Sequence, residues 1–299
     1  MCSVKNSNQS LLSKCKKIYS AFTPNILKNY INFYRTFKRF PSLKNSKYFN
    51  EKILYRKIFD RNFLYTYCSD KLLVRNYISR KIGGGYLIPL IAVMDEPEDL
   101  RNINDFSNTV IKPNHGAGMV KIVGNNNLTS NEIEDLISQV KLWMKIDFSE
   151  ISFEPHYKNI ERKIIVEKSI CENDIAPIDY KFHCFKQKND SIKTLLQVIG
   201  GRFGDNGSQE FYLDNLENCI RKIGCKTESS LVPKEHHQLL LKAMELNKVL
   251  SQDFNYVRID WYISNGYLYF GELTFTSGAG LSVSFGDDLE KLMSEWWVL

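Results

Sequence analysis

The sequence lacks the patterns of secreted, membrane-spanning and thiolate-metal proteins. Residues 1–25 are polar and lysine-bearing, without the apolar core of a signal peptide, and no run of about 18 apolar residues occurs in the chain. The seven cysteines include no C-x-x-C pair, and the five histidines include no H-E-x-x-H pattern. We therefore expect reduced thiols and a cytoplasmic protein.

Several enzyme signatures are missing as well. The glycine loops lack the GK-S/T ending of a P-loop, and Gly83–Gly85 is not followed by the G-x-G-x-x-G spacing of a dinucleotide site. The chain has no D-x-D pair to support a glycosyltransferase, and no convincing Ser/His/Asp or Cys/His set. These absences favour chemistry that needs no side-chain nucleophile.

Positive charge is concentrated at the N-terminal end. Residues 1–50 carry ten Lys/Arg and no Asp/Glu, a net charge of +10. Because the net charge of the whole chain is +6, residues 51–299 have a net charge of −4. Leu11–Phe40 is predicted as a helix. Its basic residues are Lys28, Arg35, Lys38 and Arg39, and its apolar residues at helical spacing are Ile26, Tyr30, Phe33, Phe37 and Phe40.

Two interpretations of this basic helix stay open. Either it packs on the body with its cations in solvent, or it meets anionic lipid or acidic polysaccharide. No RNA-binding motif supports a nucleic-acid partner. Under the second interpretation, replacing Lys38 and Arg39 by Glu weakens binding to such a surface.

The remaining chain predicts an α+β fold with antiparallel sheets. A long helical stretch is expected over Glu51–Arg80. Later helices are predicted over Asn131–Met144, His236–Leu250 and Asp288–Trp297. Strands are predicted over Leu87–Val93, Thr109–Lys112, Met119–Val123, Lys163–Glu167, Asp179–Phe185, Thr194–Ile199, Val257–Ile263 and Tyr267–Phe275.

A lysine and a glycine loop stand between two predicted strands. Lys112 ends the first strand, and Gly116 and Gly118 lie in the loop before the second. Small residues let backbone N–H groups approach phosphate oxygens closely, and the lysine adds a positive charge. The pattern indicates a phosphate site or, with equal weight, a hairpin with an incidental lysine.

The C-terminal hairpin carries the most specific motif. Asp260 and Glu272 are carboxylates on neighbouring strands, with Arg258 beside them. Paired carboxylates are the hard oxygen ligands that Mg²⁺ prefers. The motif therefore predicts a magnesium site, provided that both carboxylates face the same way.

The length of the loop in this hairpin determines whether the two carboxylates lie on the same face. A two-residue loop, Asn265-Gly266, would turn Glu272 to the face opposite Asp260, whereas adding Ser264 to the loop puts both on one face. We predict the three-residue loop, which pairs Glu272 with Arg258 and Asp260 with Phe270. The other face would then hold Val257, Ile259, Trp261, Tyr269, Leu273 and Phe275.

Three segments give weaker signals. Asp179, Lys181 and His183 alternate onto one face of a strand, which either faces solvent or lines a site. Lys163–Ile170 is typical of a core strand. Phe275–Gly280 is a small-residue loop that offers backbone N–H groups to an anion or forms an ordinary turn.

The order of these motifs resembles that of the ATP-grasp superfamily. Their residues are similar to those of its TupA-like branch, named for teichuronopeptide synthesis. The strings are DKLLVRNYI, GGGYLIPLIAV, VIKPNHGAG, DYKFHCF and VRIDWYI…GELTFTSGAG, within about Phe49–Phe285. The resemblance implies two α+β lobes whose antiparallel sheets hold ATP between them. The expected parts are a basic helical extension (1–48) and an ATP-grasp domain (49–299), divided into residues 49–106, a small lobe (107–170) and a large metal-bearing lobe (171–299).

For the nucleotide, the resemblance implies that Lys112 holds an α-phosphate oxygen and that the glycine loop covers the β- and γ-phosphates. The hinge Glu167–Ile170 would meet the adenine edge, and Asp174, or alternatively Glu172, would hold the ribose. Lys181 would add charge at the phosphates. The implied ATP-binding residues are Lys112, His115, Gly116, Ala117, Gly118, Glu167, Lys168, Ile170, Asp174 and Lys181.

For the metal, the resemblance implies that Asp260 and Glu272 carry Mg²⁺. Thr274 stands where the superfamily has an asparagine, so one or two ions stay open. The implied catalytic cations are Arg258, Lys181 and Lys112, with Arg258 at the γ-phosphate or acyl phosphate. The acceptor is expected to contact Ser277, Gly278 and Arg202. Arg202, Asp205 and Glu210 are candidates because they are charged and flank the glycine pair Gly200-Gly201; the alternative is a solvated loop with no role in binding.

The implied activity is an ATP-dependent carboxylate–amine ligase that works through an acyl phosphate. The TupA-like branch is associated with envelope polysaccharides such as capsule or O-antigen, which implies a uronic acid and an amino acid as substrates, with a lipid-linked carrier as one form of the acceptor. Two alternatives stay open: an ATP-grasp kinase acting on a sugar or polyol, and a non-catalytic module that binds nucleotide or acidic glycan. The basic segment suggests contact with the inner face of the membrane.

Overall fold

The computed structural model describes residues 25–201, 207–213, 216–225 and 229–298. Residues 11–24 of the predicted first helix, and the acceptor candidates Arg202 and Asp205, lie outside these ranges. No helix within them is long and apolar enough to cross a membrane.

Two antiparallel sheets form the frame, which confirms the predicted α+β class. The smaller sheet, in the order β1-β4-β2-β3, consists of β1 (Leu90–Met94), β2 (Thr109–Pro113), β3 (Lys121–Val123) and β4 (Ile164–Lys168). The larger sheet, in the order β10-β9-β5-β6-β7-β8, consists of β5 (Asp179–Lys186), β6 (Ile192–Gly200), β7 (Ser208–Leu213), β8 (Cys219–Ile223), β9 (Tyr256–Ser264) and β10 (Tyr267–Thr274). Strands β7 and β8 were not predicted.

The long helical stretch predicted before the sheets is three helices, because polar side chains cap the backbone at two breaks. Asn62 accepts a hydrogen bond from the N–H of Leu64 at 2.9 Å, and Asp70 accepts one from the N–H of Leu72 at 2.8 Å. The three helices span Phe49–Phe59, Phe63–Ser69 and Val74–Ile82.

The α-helices of the described residues are α1 (Asn25–Phe37), α2 (Phe49–Phe59), α3 (Phe63–Ser69), α4 (Val74–Ile82), α5 (Ser130–Lys145), α6 (Phe148–Ser152), α7 (His237–Leu250) and α8 (Gly286–Trp296).

Helices cover one face of the large sheet and only part of the other. Trp261 and Ile259 belong to the main core, to which α3, α4 and α7 contribute. On the opposite face, α2 and α8 enclose an aromatic cluster around Phe49 and Trp297. The rest of that face carries charged side chains, and this positions the candidate site.

Helix α1 packs on α2 instead of standing apart. Phe33 meets Leu54 and Ile58 in a small apolar cluster. Arg39 pairs with Glu51 and lies 3.9 Å over the ring of Tyr48. Arg39 is therefore engaged in the fold, so it is a poor choice for testing surface binding.

Candidate active site

The β9–β10 hairpin closes with a two-residue loop, so the predicted three-residue loop is wrong. Tyr267 pairs with Ser264, which leaves Asn265 and Gly266 at the turn. Both have positive φ, 49° and 73°, as the tight turns of hairpins require. By the sequence argument alone, this loop would separate the two carboxylates.

A β-bulge at Gly271 restores the shared face. Phe270 pairs with Trp261, but Glu272 pairs with Asp260, so Gly271 is an extra residue in β10. A Cβ at this position would lie 3.0 Å from the carbonyl oxygen of Asp260. The bulge thus puts Glu272 opposite Asp260, where Phe270 was expected.

The bulge also changes which residues form the core. Before it, Leu268 and Phe270 are buried, and after it, Leu273 and Phe275 are buried. Tyr269 was predicted in this core but is half-exposed on the other side of the strand. The apolar side thus follows the one-residue shift.

Two cations hold the carboxylate pair. Arg258 contacts both oxygens of Asp260 at 2.7 Å and Oε1 of Glu272 at 2.5 Å. Lys181 Nζ lies 2.7 Å from Asp260 and 3.4 Å from Asp179, so Lys181 shares the site face with both. Burial alone would raise the pKa of Asp260, but Arg258 and Lys181 outweigh it and hold that pKa well below its usual range.

His183 lies on the same face but is part of the buried support. Its Nδ1 is 3.0 Å from the hydroxyl of Tyr256, and its Nε2 is 3.3 Å from Oε1 of Gln197. Burial, together with the charge of Arg258, lowers the pKa of His183 to about 3. The imidazole is therefore neutral at physiological pH.

The small sheet supplies the facing wall. Lys112 Nζ lies 2.5 Å from Oε2 of Glu167, and Arg75 contacts Oε1 of the same carboxylate at 3.0 Å. A narrow cleft between the sheets is lined by these three residues together with Lys71 and Gly271. The predicted Lys112 and Glu167 thus meet directly, and Arg75 is an addition from helix α4.

The glycine loop after β2 is anchored at its start and open at its tip. The side chain of Asn114 donates to the Glu161 carbonyl and accepts from the Lys163 N–H, both at 2.8 Å. His115 is buried under the loop, and burial lowers its pKa. Ala117 and Gly118 at the tip are exposed. The backbone of the tip is therefore accessible from solvent.

Lys71 reaches this loop from the α3–α4 turn. Its backbone N–H donates to the Asn114 carbonyl at 3.0 Å, and its ammonium donates to the Gly116 carbonyl. Burial lowers the pKa of Lys71 to about 8, which the charge of Glu272 opposes. Lys71 is thus a further cation of the site that the sequence did not single out.

Comparison with known proteins decides the family. A family model described as TupA-like ATPgrasp matches residues 51–297. The chain belongs to the TupA-like ATP-grasp family. A search of curated proteins found no match.

Several solved structures are also similar. They include an L-amino acid ligase from Bacillus licheniformis, at 12% identity and a TM-score of 0.49, covering 83% of this chain and 51% of that one. A D-alanine–D-alanine ligase from Helicobacter pylori has 15% identity and a TM-score of 0.47, covering 76% of this chain and 60% of that one. The TupA-like chain therefore spans about half to three fifths of the length of these ligases.

The hinge of the TupA-like chain, after β4, already uses part of its backbone. The N–H of Lys168 donates to the Pro89 carbonyl at 2.9 Å, and the N–H of Ser169 to the Asn108 carbonyl at 2.7 Å. Any backbone N–H donated to an adenine ring therefore comes from Ile170 or beyond. The adenine role of this hinge stays a prediction.

The two ribose candidates differ in their surroundings. Glu172 accepts a hydrogen bond from the N–H of Asn265 at 2.6 Å, which ties it to the β9–β10 turn. Asp174 is exposed, has a φ of 62° and lies beside Gly124. Asp174 is thus the freer of the two carboxylates.

The loop after β10 approaches Arg258. Ser277 is buried, and its hydroxyl accepts from Arg258 Nη1 at 3.3 Å. Gly278, Ala279 and Gly280 all have positive φ, between 52° and 74°. The predicted acceptor residues Ser277 and Gly278 therefore adjoin the charge cluster.

Glu210, in contrast, faces away from the site. Its carboxylate accepts from Tyr212 Oη at 2.6 Å and from the Leu231 N–H at 2.9 Å, and it pairs with Lys222 at 2.9 Å. Glu210 anchors a neighbouring segment to the large sheet.

Tyr157 is another residue that the sequence did not single out. It follows α6, and its phenol lies in the field of Glu272 and Arg258, with Ser69 beside it. Burial raises the pKa of Tyr157 well above its ordinary value, and the charges of Glu154 and Glu272 raise it further. The phenol therefore stays protonated at physiological pH.

Proposed function

We propose that this TupA-like protein is a Mg-ATP-dependent carboxylate–amine ligase that joins an amino acid to a uronic acid of a cell-surface polysaccharide. The observation that carries the proposal is the pairing of Asp260 with Glu272 on the uncovered face of the large sheet, bridged by Arg258.

The donor set fits Mg²⁺. Asp260 and Glu272 offer only carboxylate oxygens, and Thr274 donates its hydroxyl to Glu272 Oε1 at 3.0 Å, which orients that carboxylate. Within the described residues no group of three or more His, Cys, Asp or Glu forms a metal cage. Two carboxylates, with substrate phosphates and water completing the shell, are the arrangement that Mg²⁺ favours. Bound Mg²⁺ would offset phosphate charge as a Lewis acid.

Cations on both walls suit a triphosphate. Lys112 and Lys71 line the small-sheet side of the cleft, with Lys71 bonded to the glycine loop, and Lys181 lies on the large-sheet side. In this proposal Lys112 and Lys71 hold phosphate oxygens, and Lys181 supports the carboxylate that carries the metal. Arg75 positions Lys112 through their shared partner Glu167.

The acceptor carboxylate would bind beside Arg258. Arg258 presents a planar guanidinium, and Ser277 and Tyr157 add hydroxyl groups. In the proposed reaction a carboxylate oxygen attacks the γ-phosphorus and ADP leaves. The amine nitrogen then attacks the acyl carbon, and inorganic phosphate leaves. Arg258 would hold the carboxylate in line and offset charge that spreads over the transferring group.

The groups around Arg258 favour a ligase over a kinase. A hydroxyl acceptor needs a general base, whereas a carboxylate acceptor needs only positive charge and positioning. Asp179 faces Lys181, whose Nζ lies 3.4 Å from it. Glu154, another carboxylate near the charge cluster, is buried, bonded to Thr276 and close to Lys57. It is therefore poorly placed to accept a proton from a substrate.

Isotope transfer tests the proposal. The protein is incubated with Mg-ATP, pooled amino acids and galacturonate or glucuronate labelled with ¹⁸O in the carboxylate. A ligase moves one ¹⁸O into inorganic phosphate and forms an amide, only when amine and ATP are both present. A stable phosphorylated sugar indicates the kinase, and no ATP consumption with any acceptor contradicts both. Arg258→Lys keeps the positive charge but loses the planar guanidinium that makes two parallel hydrogen bonds to a carboxylate. This variant is expected to lose most turnover.

A further inference from the structure

Helix α1 presents an apolar stripe to solvent on the side away from its packing face. Leu27 and Tyr34, seven residues apart, are 50% and 44% exposed, with half-buried Ile31 between them on the same stripe. Phe40, just beyond the helix, is 75% exposed, and its ring centroid lies 4.8 Å from that of Tyr34. Phe33, on the other side, supplies the packing face. Clustered exposed apolar groups of this kind mark an interaction surface.

Free positive charge flanks this stripe. Arg35 and Lys38 are exposed, and neither has a carboxylate within ion-pair distance among the residues that the structure describes. Lys28 and Arg39 do not contribute, because Lys28 is buried against Phe153, and Arg39 packs over the ring of Tyr48 and pairs with Glu51. Because residues 1–50 contain no acidic residue, nothing in this segment offsets the charge.

We propose that this face of α1, formed by Leu27, Ile31, Tyr34, Arg35, Lys38 and Phe40, docks on an anionic lipid bilayer. The apolar side chains enter the boundary between headgroups and acyl chains, and the two cations lie among the phosphates. An acidic polysaccharide would match the charge but offers no hydrocarbon in which to bury the apolar stripe. The inference is independent of the proposed reaction.

Vesicle flotation of the full-length chain tests the proposal. The vesicles are phosphatidylcholine alone or phosphatidylcholine with about one third phosphatidylglycerol, and soluble polygalacturonate provides the acidic polymer. The charge variant is Arg35→Gln/Lys38→Gln, and the apolar variant is Leu27→Ser/Tyr34→Ser/Phe40→Ser. The matched control is Leu241→Ser/Lys242→Gln, exposed residues of the same kinds on α7.

Wild type and the control are expected to bind the anionic vesicles. The charge variant should bind about thirty-fold more weakly, since each of the two basic residues near such a surface contributes about fivefold. The apolar variant should lose at least tenfold. Every side chain replaced in these variants is exposed, and circular dichroism checks that the fold is kept.

Two results would overturn the proposal. One is an apolar variant that binds anionic vesicles as tightly as wild type. The other is wild type that binds polygalacturonate but not the vesicles, with loss only in the charge variant, which would assign the surface to an acidic polymer.

Discussion

Deleting Gly271 tests the physical origin of the site. Without the extra residue, β10 cannot keep Leu268 and Phe270 in the core together with Leu273 and Phe275. One pair must turn outward, because a one-residue slip exchanges the two faces of a strand. Each Leu or Phe side chain contributes about 1.5–3 kcal/mol when buried, so the deletion should cost roughly 3–6 kcal/mol of unfolding free energy.

Deleting Gly271 should also disrupt the candidate active site, because the site depends on the register of β10 against β9. If the turn-proximal pairing is kept, Glu272 rotates to the face opposite Asp260, and Arg258 loses one of its partners. Urea denaturation at neutral pH measures the stability loss, and thermal shift with Mg²⁺ and a non-hydrolysable ATP analogue measures ligand response. The milder Gly271→Ala change adds a Cβ 3.0 Å from the Asp260 carbonyl oxygen and should destabilise by about 1–3 kcal/mol.

Gly266→Ala provides the control. Gly266 has a φ of 73° with open space around its Cα, so alanine there strains the turn by about 1 kcal/mol without changing the register. Its Mg-dependent response should persist. A Gly271 deletion that retained wild-type stability and ligand response would refute the role assigned to the bulge.

Three further predictions concern residues that the structure brought forward. Lys71→Met should weaken ATP-analogue binding about tenfold while leaving adenosine binding unchanged, as measured by titration calorimetry; equal losses for both ligands would contradict a phosphate role. Tyr157→Phe should raise the KM for the carboxylate substrate severalfold with the Kd for Mg-ATP unchanged, and the reverse pattern would contradict its place at the acceptor. Glu290 is a buried residue of α8 whose carboxylate accepts a hydrogen bond from the Asn50 N–H at 3.0 Å. Burial raises the pKa of Glu290 to about 7, so its contribution to stability is present at low pH and is lost as the pH rises through 7. Between pH 8 and pH 5 wild type should therefore gain roughly 2–3 kcal/mol relative to Glu290→Gln in urea unfolding, whereas parallel pH profiles would contradict the burial argument.

Local pattern was enough to predict most of the fold. Long strands with clear alternation or apolar runs, such as β5 and β9, were predicted within one or two residues of their observed ends. Strands β7 and β8 were not predicted because they are short and mix polar with apolar residues on both faces. Their pairing depends on a neighbour already in place, which a local pattern does not contain.

The hairpin error had a signal in the sequence. The buried apolar residues of β10 and of the position just after it fall at 268 and 270, then at 273 and 275, so their alternation slips by one at Gly271. A slip of this kind at a glycine indicates a bulge. We predicted the extra residue in the loop instead, so Asp260 and Glu272 were predicted on the correct shared face but in the wrong register.

Other site residues could not be recognised from spacing. Lys71 and Arg75 lie in the string DKLLVRNYI, but their place at the cleft follows from the packing of the α3–α4 turn against the glycine loop. Tyr157 lies in a short segment after α6, with no motif around it. Only tertiary contacts link these side chains to the charge cluster.

The central claim is an ATP site between the two sheets, with its metal at Asp260 and Glu272. The most direct test is thermal stability with and without Mg²⁺ and a non-hydrolysable ATP analogue, for wild type, Lys112→Ala and Asp260→Asn. At about 100 Kd of ligand, wild type should gain roughly 2.7 kcal/mol, only with Mg²⁺ present, and both folded variants should lose most of that gain. A folded wild-type protein that shows no Mg-dependent gain over a wide nucleotide range would contradict the account.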